Sequence, residues 1–298
     1  MTEAIYKQIN SYCLSNLANG RLFSVKYRMA GGEPLLVFDK WEWFAREFLD
    51  GIGERGGIEV LTNLTIYPDG LDSLLRHKNY FNINVSIDGV TDSKPFTNGR
   101  SSAGITIKNL DTYRTRHGRK PFIMTVITDN GRHLPELARF IVDIGAKWEI
   151  QANKFYEPDF DWREVNANMD AVLAVYHKAQ YPVADILFNF CDLNTARACE
   201  NGLSMFAIMP NGDITNCQMQ NKIIGHIGDD LISLLEYNPT RKINQNLRCS
   251  KCLIEDYCHG DCPYKSTEEK RLEYICRIMK HYVCAALKEE LYAQPLSA

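Results

Sequence analysis

The chain has 298 residues, 45% of them hydrophobic, and a net charge of −3 at pH 7. This balance is typical of a globular protein with about two domains, and it predicts neither a nucleic acid nor a membrane surface as partner. The first residues lack the apolar segment of a signal peptide, and no apolar run approaches the roughly 18 residues of a membrane span. We therefore expect a cytoplasmic protein whose ten cysteines bind metal or act in catalysis.

Hydrophobic periodicity predicts alternating strands and helices through the first two thirds of the chain. The predicted helices cover residues 3–17, 37–53, 70–77, 103–117, 133–145 and 169–181. The predicted strands cover residues 22–29, 58–64, 81–87, 121–128 and 147–151. Such alternation favours an α/β fold with a parallel sheet, either open or curled into a barrel.

The pattern changes near residue 190. Short strands near 205–217, a cysteine-rich loop and a long helix over 267–291 follow. We predict two domains, residues 1–190 and residues 191–298. The chain also opens with a helix, although the crossover helix of a βαβ unit needs a strand before it. We therefore expect that the first strand of the pattern is missing.

Four cysteines, Cys249, Cys252, Cys258 and Cys262, are separated by gaps of two, five and three residues. Zinc ribbons usually place about 15–20 residues between their two cysteine pairs. Four thiols packed this tightly favour sharing between two centres, as in two-cluster iron–sulfur proteins. A zinc-stabilised domain with unrelated chemistry is the alternative.

The whole C-terminal cysteine pattern resembles the SPASM domain of radical S-adenosylmethionine enzymes, in which a Cys, a Gly-x4-Cys, a four-cysteine loop and a later Cys follow one another. The resemblance implies two auxiliary 4Fe–4S clusters. The implied ligands of the first cluster are Cys199, Cys217 and Cys262, with Cys191 as a candidate fourth ligand. The implied ligands of the second cluster are Cys249, Cys252, Cys258 and Cys276.

Residues after the first predicted strand resemble a cofactor motif of the same family. Gly31, Gly32, Glu33 and Pro34 are similar to the family's GGEP segment, whose backbone and carboxylate meet the amino group of S-adenosylmethionine. A glycine pair lets the backbone approach a ligand closely, and proline fits the first turn of a helix. A plain strand-to-helix turn is the alternative interpretation of this motif.

The ends of the next two predicted strands carry further matches. Asn63 resembles the family's asparagine at the edge of the cofactor pocket, and Ser86 and Asp88 resemble its serine and aspartate near cofactor and substrate. Parallel sheets bind ligands at the carboxyl ends of their strands, where all three residues are expected. Asp88 is the candidate proton acceptor or substrate contact. The family's usual arginine is absent, so Arg100 or Lys94 is the candidate ligand for the cofactor carboxylate.

Radical chemistry in this family begins at a C-x3-C-x2-C loop upstream of the GGEP segment. Only Cys13 precedes residue 191 here, and one thiolate cannot replace three. We therefore expect that the chain as numbered does not cleave S-adenosylmethionine alone. Met1 as an internal start, a partner subunit that supplies the missing segment, and a degenerate family member all fit this pattern.

The resemblance implies an oxidoreductase that modifies a peptide or protein side chain through a 5′-deoxyadenosyl radical. The auxiliary clusters would transfer electrons or anchor the substrate. The alternative is a non-catalytic iron–sulfur protein that binds peptides, or a partner subunit of a split maturation enzyme. Binding of S-adenosylmethionine and the metal content distinguish these hypotheses.

Overall fold

The computed structural model describes residues 1–91, 101–151, 161–182, 186–188, 206–215, 222–230, 234, 276–278, 280–281 and 284. The chain divides into two units. The first contains Met1–Ser86, Ile105–Pro121 and Glu200–Arg241, and the second contains Ile87–Gly104, Phe122–Cys199 and Lys242–Ala298. The predicted domain boundary at residue 190 stays a prediction.

Three parallel strands in chain order form the centre of the first unit: β1 (Val25–Met29), β2 (Gly56–Thr62) and β3 (Tyr80–Ser86). The helices of this unit are α1 (Glu3–Ala18), α2 (Glu42–Ile52), α3 (Leu71–Leu75) and most of α4 (Ala103–His117). The parallel pairing and the alternation of strands with helices confirm the predicted α/β class.

Helix α2 packs its apolar face against the sheet of the first unit. The ring centroid of Tyr27 on β1 lies 5.3 Å from that of Phe44 and 6.2 Å from that of Phe48. Both phenylalanines are completely buried, and each such burial contributes about 2–3 kcal/mol. The side chains of β1 that point the other way therefore lie on the sheet face that α2 leaves uncovered.

The helix predicted over 37–53 is wrong in its first part. A 3₁₀ helix covers Pro34–Lys40, and α2 begins only at Glu42. Trp41 separates them with φ −130°. Its indole N–H donates a 2.8 Å hydrogen bond to the carbonyl of Pro34, and the side chain is buried. This anchored tryptophan overrides the helical periodicity of the sequence.

The second unit repeats the parallel arrangement with β4 (Phe122–Val126), β5 (Lys147–Gln151) and β6 (Ile186–Phe188). Its described residues include helices α5 (Leu134–Ile144) and α6 (Trp162–Lys178). Helix α6 begins before the predicted residue 169 because the Asp161 carboxylate caps it, accepting a 2.9 Å bond from the Arg163 N–H.

A three-stranded antiparallel sheet follows later in the chain: β7 (Ala207–Ile208), β8 (Asp213–Thr215) and β9 (Ile223–His226). This confirms the short strands predicted near 205–217. The region contacts α1 within the first unit, since the Tyr12 hydroxyl donates a 3.0 Å bond to the carbonyl of Asp229.

The helix predicted over 267–291 lies mostly outside the described residues, of which 276–278, 280–281 and 284 are helical. In the part of the chain that the structure describes, no helix combines the length and apolarity needed to cross a bilayer.

Candidate cofactor site at the strand ends

The turn after β1 has a backbone that requires glycine. Gly31 and Gly32 have φ values of +95° and +56°, in the left-handed region that other residues rarely adopt. An added Cβ would meet nothing within 4 Å at either position. The glycines therefore serve the backbone conformation, and the space beside them is open to a ligand. Pro34 then begins the 3₁₀ helix, as predicted from the sequence.

The Glu33 carboxylate joins this turn to the end of β2. Its Oε1 accepts hydrogen bonds from the Leu35 N–H (3.1 Å) and the Thr62 hydroxyl (2.6 Å). Its Oε2 accepts one from the Asn63 N–H (2.8 Å). A carboxylate offers about four acceptor positions. The contacts among the described residues thus leave one position on Oε2 for a cationic donor.

Thr62 is a part of this site that sequence reasoning missed. Its side chain is buried, and its hydroxyl oxygen accepts a 2.8 Å bond from the Leu64 N–H while it donates to Glu33. Leu64 is buried with φ +52°, a strained conformation for a leucine. Thr62 therefore fixes both the carboxylate and the turn that follows β2.

Asn63 shapes that turn. Its side-chain oxygen accepts bonds from the Thr65 N–H (3.0 Å) and hydroxyl (2.8 Å). Its own carbonyl accepts a 2.7 Å bond from the Thr106 hydroxyl on α4. The structure thus brings Asn63 and Glu33 together through the Asn63 backbone, while the Asn63 amide side chain stabilises the loop.

The other predicted cofactor residues are Ser86, Asp88, Arg100 and Lys94. Ser86 is half-buried and ends β3 in the first unit. Asp88 belongs to the second unit, where its Oδ1 accepts a 3.1 Å bond from the Val126 N–H at the end of β4. Arg100 and Lys94 lie outside the described residues.

His133, which immediately precedes α5, is a second group that sequence reasoning missed. Its Nε2 is buried and has no hydrogen-bond partner among the described residues. Burial lowers the pKa of the imidazole, and the carboxylates of Asp88 and Asp129 oppose that shift. A neutral imidazole near Asp88 can accept or donate a proton. No motif marks this residue in the sequence.

The turn after β4 has a structural role. Asn130 has φ +52°, donates a 2.7 Å bond to Glu164 and accepts one of 2.9 Å from the Asp161 N–H. Asn168 of α6 donates a 2.9 Å bond to the Asn130 carbonyl. Asn130 therefore positions the start of α6.

The cysteines are mostly outside the described residues, which include only Cys13, Cys276 and Cys284. Burial raises the pKa of Cys13 to about 12, so this thiol of α1 is neutral at pH 7 in the metal-free chain. Cys276 is half-buried, and Cys284 is exposed. Within the described ranges, no three His, Cys, Asp or Glu residues form a metal-binding group. The other implied cluster ligands remain predictions: Cys191, Cys199, Cys217, Cys249, Cys252, Cys258 and Cys262.

Comparison with known proteins identifies a shared fold. No protein-family model and no curated protein matches the sequence. The structure matches Streptococcus suis SuiB bound to S-adenosylmethionine with a TM-score of 0.64 and 15% identity over 89% of this chain and 67% of that one. It also matches SuiB bound to the precursor peptide SuiA, with a TM-score of 0.66 and 15% identity over 89% of this chain and 66% of that one. The chain thus spans about two thirds of the SuiB length.

Proposed function

We propose that the chain belongs to a radical S-adenosylmethionine/SPASM oxidoreductase that modifies a side chain of a peptide or protein. The observation that carries this proposal is the Glu33 carboxylate, which is fixed at the ends of β1 and β2 with one acceptor position left on Oε2. The fold shared with SuiB, which has been crystallised with S-adenosylmethionine and with a precursor peptide, supports it.

The residues of the first unit suit the amino-acid end of the cofactor. The methionine ammonium would donate a charge-assisted hydrogen bond to Glu33 Oε2, beside the open backbone of Gly31 and Gly32. Ser86 is proposed to contact the ribose and Arg100 the carboxylate. Asp88 is proposed as proton acceptor or substrate contact. When bound, S-adenosylmethionine supplies, on reductive cleavage, the radical that abstracts a hydrogen atom from the substrate.

The residues of this chain do not fit the cluster that begins such chemistry. That cluster needs three thiolates, and the half-buried Cys13 is the one cysteine before residue 191. We propose that an upstream segment or a partner subunit supplies the cluster and that the SPASM cysteines hold two auxiliary clusters. An iron–sulfur protein that binds peptides without catalysis is the second candidate, and the fold shared with SuiB, which has been crystallised with a precursor peptide, supports it as well.

Binding of S-adenosylmethionine to Glu33→Gln tests the proposal. Glutamine keeps a carbonyl oxygen for the Leu35 and Thr62 donors. It loses the acceptor of the Asn63 N–H and the charge that pairs with the ammonium. We expect the variant to bind S-adenosylmethionine about tenfold more weakly than the wild type. Saturation-transfer NMR on the purified chain measures affinities down to the millimolar range.

Methylthioadenosine provides the internal control, because it keeps the adenosine part of the cofactor but lacks the ammonium. Its affinity should be the same for the wild type and the variant. Glu42→Gln is the matched protein control, since Glu42 lies on α2 and pairs with Arg46. Failure of the wild type to bind S-adenosylmethionine, or an equal loss of both ligands in Glu33→Gln, would refute the proposed site.

A further inference from the structure

The first unit carries charges on one face of its parallel sheet. Lys26 and Arg28 alternate along β1 with Tyr27, whose ring packs on α2, so both cations lie on the opposite face. The register pairs Arg28 with Glu59 of β2 and Gly57 with Tyr80 of β3. These four residues, Lys26, Arg28, Glu59 and Tyr80, form what we call the charged face.

Hydrogen bonds connect the charged face around Glu59. Arg28 donates to Glu59 Oε2 from Nε (3.2 Å) and Nη2 (2.9 Å). Lys26 and the Tyr80 hydroxyl each donate to Oε1 at 3.2 Å. Burial works to raise the pKa of Glu59, but Arg28 and Lys26 outweigh it and lower that pKa. Glu59 is therefore ionised at neutral pH, and all its charge is shared between two cations.

The charged face has one positive charge in excess and is open. The side chains of Lys26 and Arg28 are 56% and 45% exposed, whereas that of Glu59 is 9% exposed. A guanidinium has five N–H donors, and Arg28 directs only its Nε and Nη2 groups to Glu59. The contacts among the described residues leave its Nη1 amino group for a further acceptor.

An exposed charged face is unusual on parallel strands, because parallel sheets are normally covered by apolar packing on both sides. Protection of an edge strand explains lysine on β1. It does not explain a glutamate buried on β2, one strand inward, which orients two cations toward solvent. Fixed cations on a strand surface are suited to recognising a carboxylate.

We propose that the charged face binds an acidic side chain of the peptide substrate, with Arg28 and Lys26 as its ligands and Glu59 as the positioning residue. This inference rests on the proposed function. Glu59 lies three residues before Thr62 on β2, which corresponds to about 10 Å along the strand. Three residues of an extended peptide would span that distance, although the side chains of Glu59 and Thr62 point to opposite faces of the sheet.

Selection from a phage library of random dodecapeptides on the immobilised full chain tests the proposal. Peptides recovered on the wild type should contain Asp and Glu about twofold more often than the unselected library, because charge complementarity selects them. Arg28→Gln should abolish this enrichment. Glu59→Gln should reduce it, since the amide no longer offers both cations the carboxylate oxygens that hold them in place.

Arg46→Gln is the matched control, because Arg46 is 40% exposed and also pairs with a glutamate, on α2. Its enrichment should equal that of the wild type. If Arg28→Gln melts early, Lys26→Gln replaces it. No enrichment on the wild type, or equal enrichment on wild type and Arg28→Gln, overturns the inference.

The cofactor experiment separates this result from the proposed function. Loss of acidic preference with intact S-adenosylmethionine binding removes only the inference about the charged face. Loss of cofactor binding removes the proposed function itself and is read without any peptide.

Discussion

The buried hydroxyl of Thr62 stabilises two parts of the candidate site. It donates to the Glu33 carboxylate and accepts from the Leu64 N–H. Replacing it with valine keeps the β-branched shape that suits a strand but leaves the Leu64 N–H without its acceptor. An unsatisfied buried donor costs about 1–3 kcal/mol. We expect Thr62→Val to lower the free energy of unfolding by that amount in urea denaturation.

Thr62→Ser is the control for this prediction, because serine keeps the hydroxyl and loses only a methyl group. It should remain within about 1 kcal/mol of the wild type. Equal stability of the valine variant and the wild type would contradict the role assigned to this hydroxyl. Such a result would mean that the Glu33 carboxylate is held by the backbone donors alone.

Helices α3 and α4 are joined by a network centred on Asp72. Its Oδ1 accepts bonds from the Tyr67 hydroxyl (2.6 Å) and His117 (2.9 Å), and its Oδ2 accepts one from Arg116 (2.7 Å). Burial works to raise the pKa of Asp72, but these hydrogen bonds outweigh it and hold that pKa at about 2. The network therefore stabilises the fold only while Asp72 is ionised.

The pH dependence of stability tests this network. A carboxyl whose pKa is depressed in the folded state stabilises the fold above its ordinary pKa of 3.8 and loses that contribution as pH falls toward 2. At pH 7 we expect the free energy of unfolding of Asp72→Asn to be about 1–3 kcal/mol lower than that of the wild type. The variant should therefore unfold at a lower urea concentration. The difference should disappear between pH 4 and pH 2.

Asp111→Asn is the matched control on α4, since Asp111 is 71% exposed and pairs with Arg114. An exposed pair of this kind contributes little, so the variant should follow the wild type at every pH. A gap between Asp72→Asn and the wild type that stays constant down to pH 2 would assign the loss to packing instead of charge.

At the scale of elements, periodicity predicted helices α1 to α6 and strands β1 to β5, and it gave α4 and β5 the bounds that the structure has. It missed β6 and β9 and misplaced the starts of α2 and α6. The start of α6 depends on the Asp161 cap, and the break before α2 depends on the buried Trp41. The cap is a local signal that the sequence contains. The tryptophan contact is a hydrogen bond from a side chain to a backbone carbonyl seven residues earlier. Hydrophobic periodicity carries no information on such a bond, so pattern reasoning could not find it.

Motifs predicted the charged residue of the candidate site, but they did not predict the residues that fix charged side chains in place. Glu33 was predicted from its neighbours, whereas Thr62 and Glu59 act through partners about 30 residues away in sequence. Their roles depend on the strand register, which a single sequence does not determine. His133 was missed because no motif marks it and its burial before α5 follows only from the folded structure.

At the scale of the whole molecule, we propose that the C-terminal cysteines bind two iron–sulfur clusters. The iron and sulfide content of the purified protein tests this proposal. Two 4Fe–4S clusters require about eight irons and eight sulfides per chain. We expect that stoichiometry after anaerobic reconstitution, measured by mass spectrometry of the metals and by sulfide assay. One or two zinc ions per chain, without sulfide, would instead support the zinc-stabilised domain.

Two cysteines of the C-terminal helical segment make this prediction specific. Cys276 is half-buried and is the implied ligand of the second cluster, whereas Cys284 is exposed and has no implied role. Cys276→Ala should lower the iron content to about four per chain, since a cluster that loses one of four thiolates is held weakly. Cys284→Ala should keep about eight irons. If both variants lose the same amount of iron, the ligand set implied by the SPASM pattern is wrong. An equal loss would mean that the two thiols affect the iron content in the same way, although only Cys276 is an implied ligand.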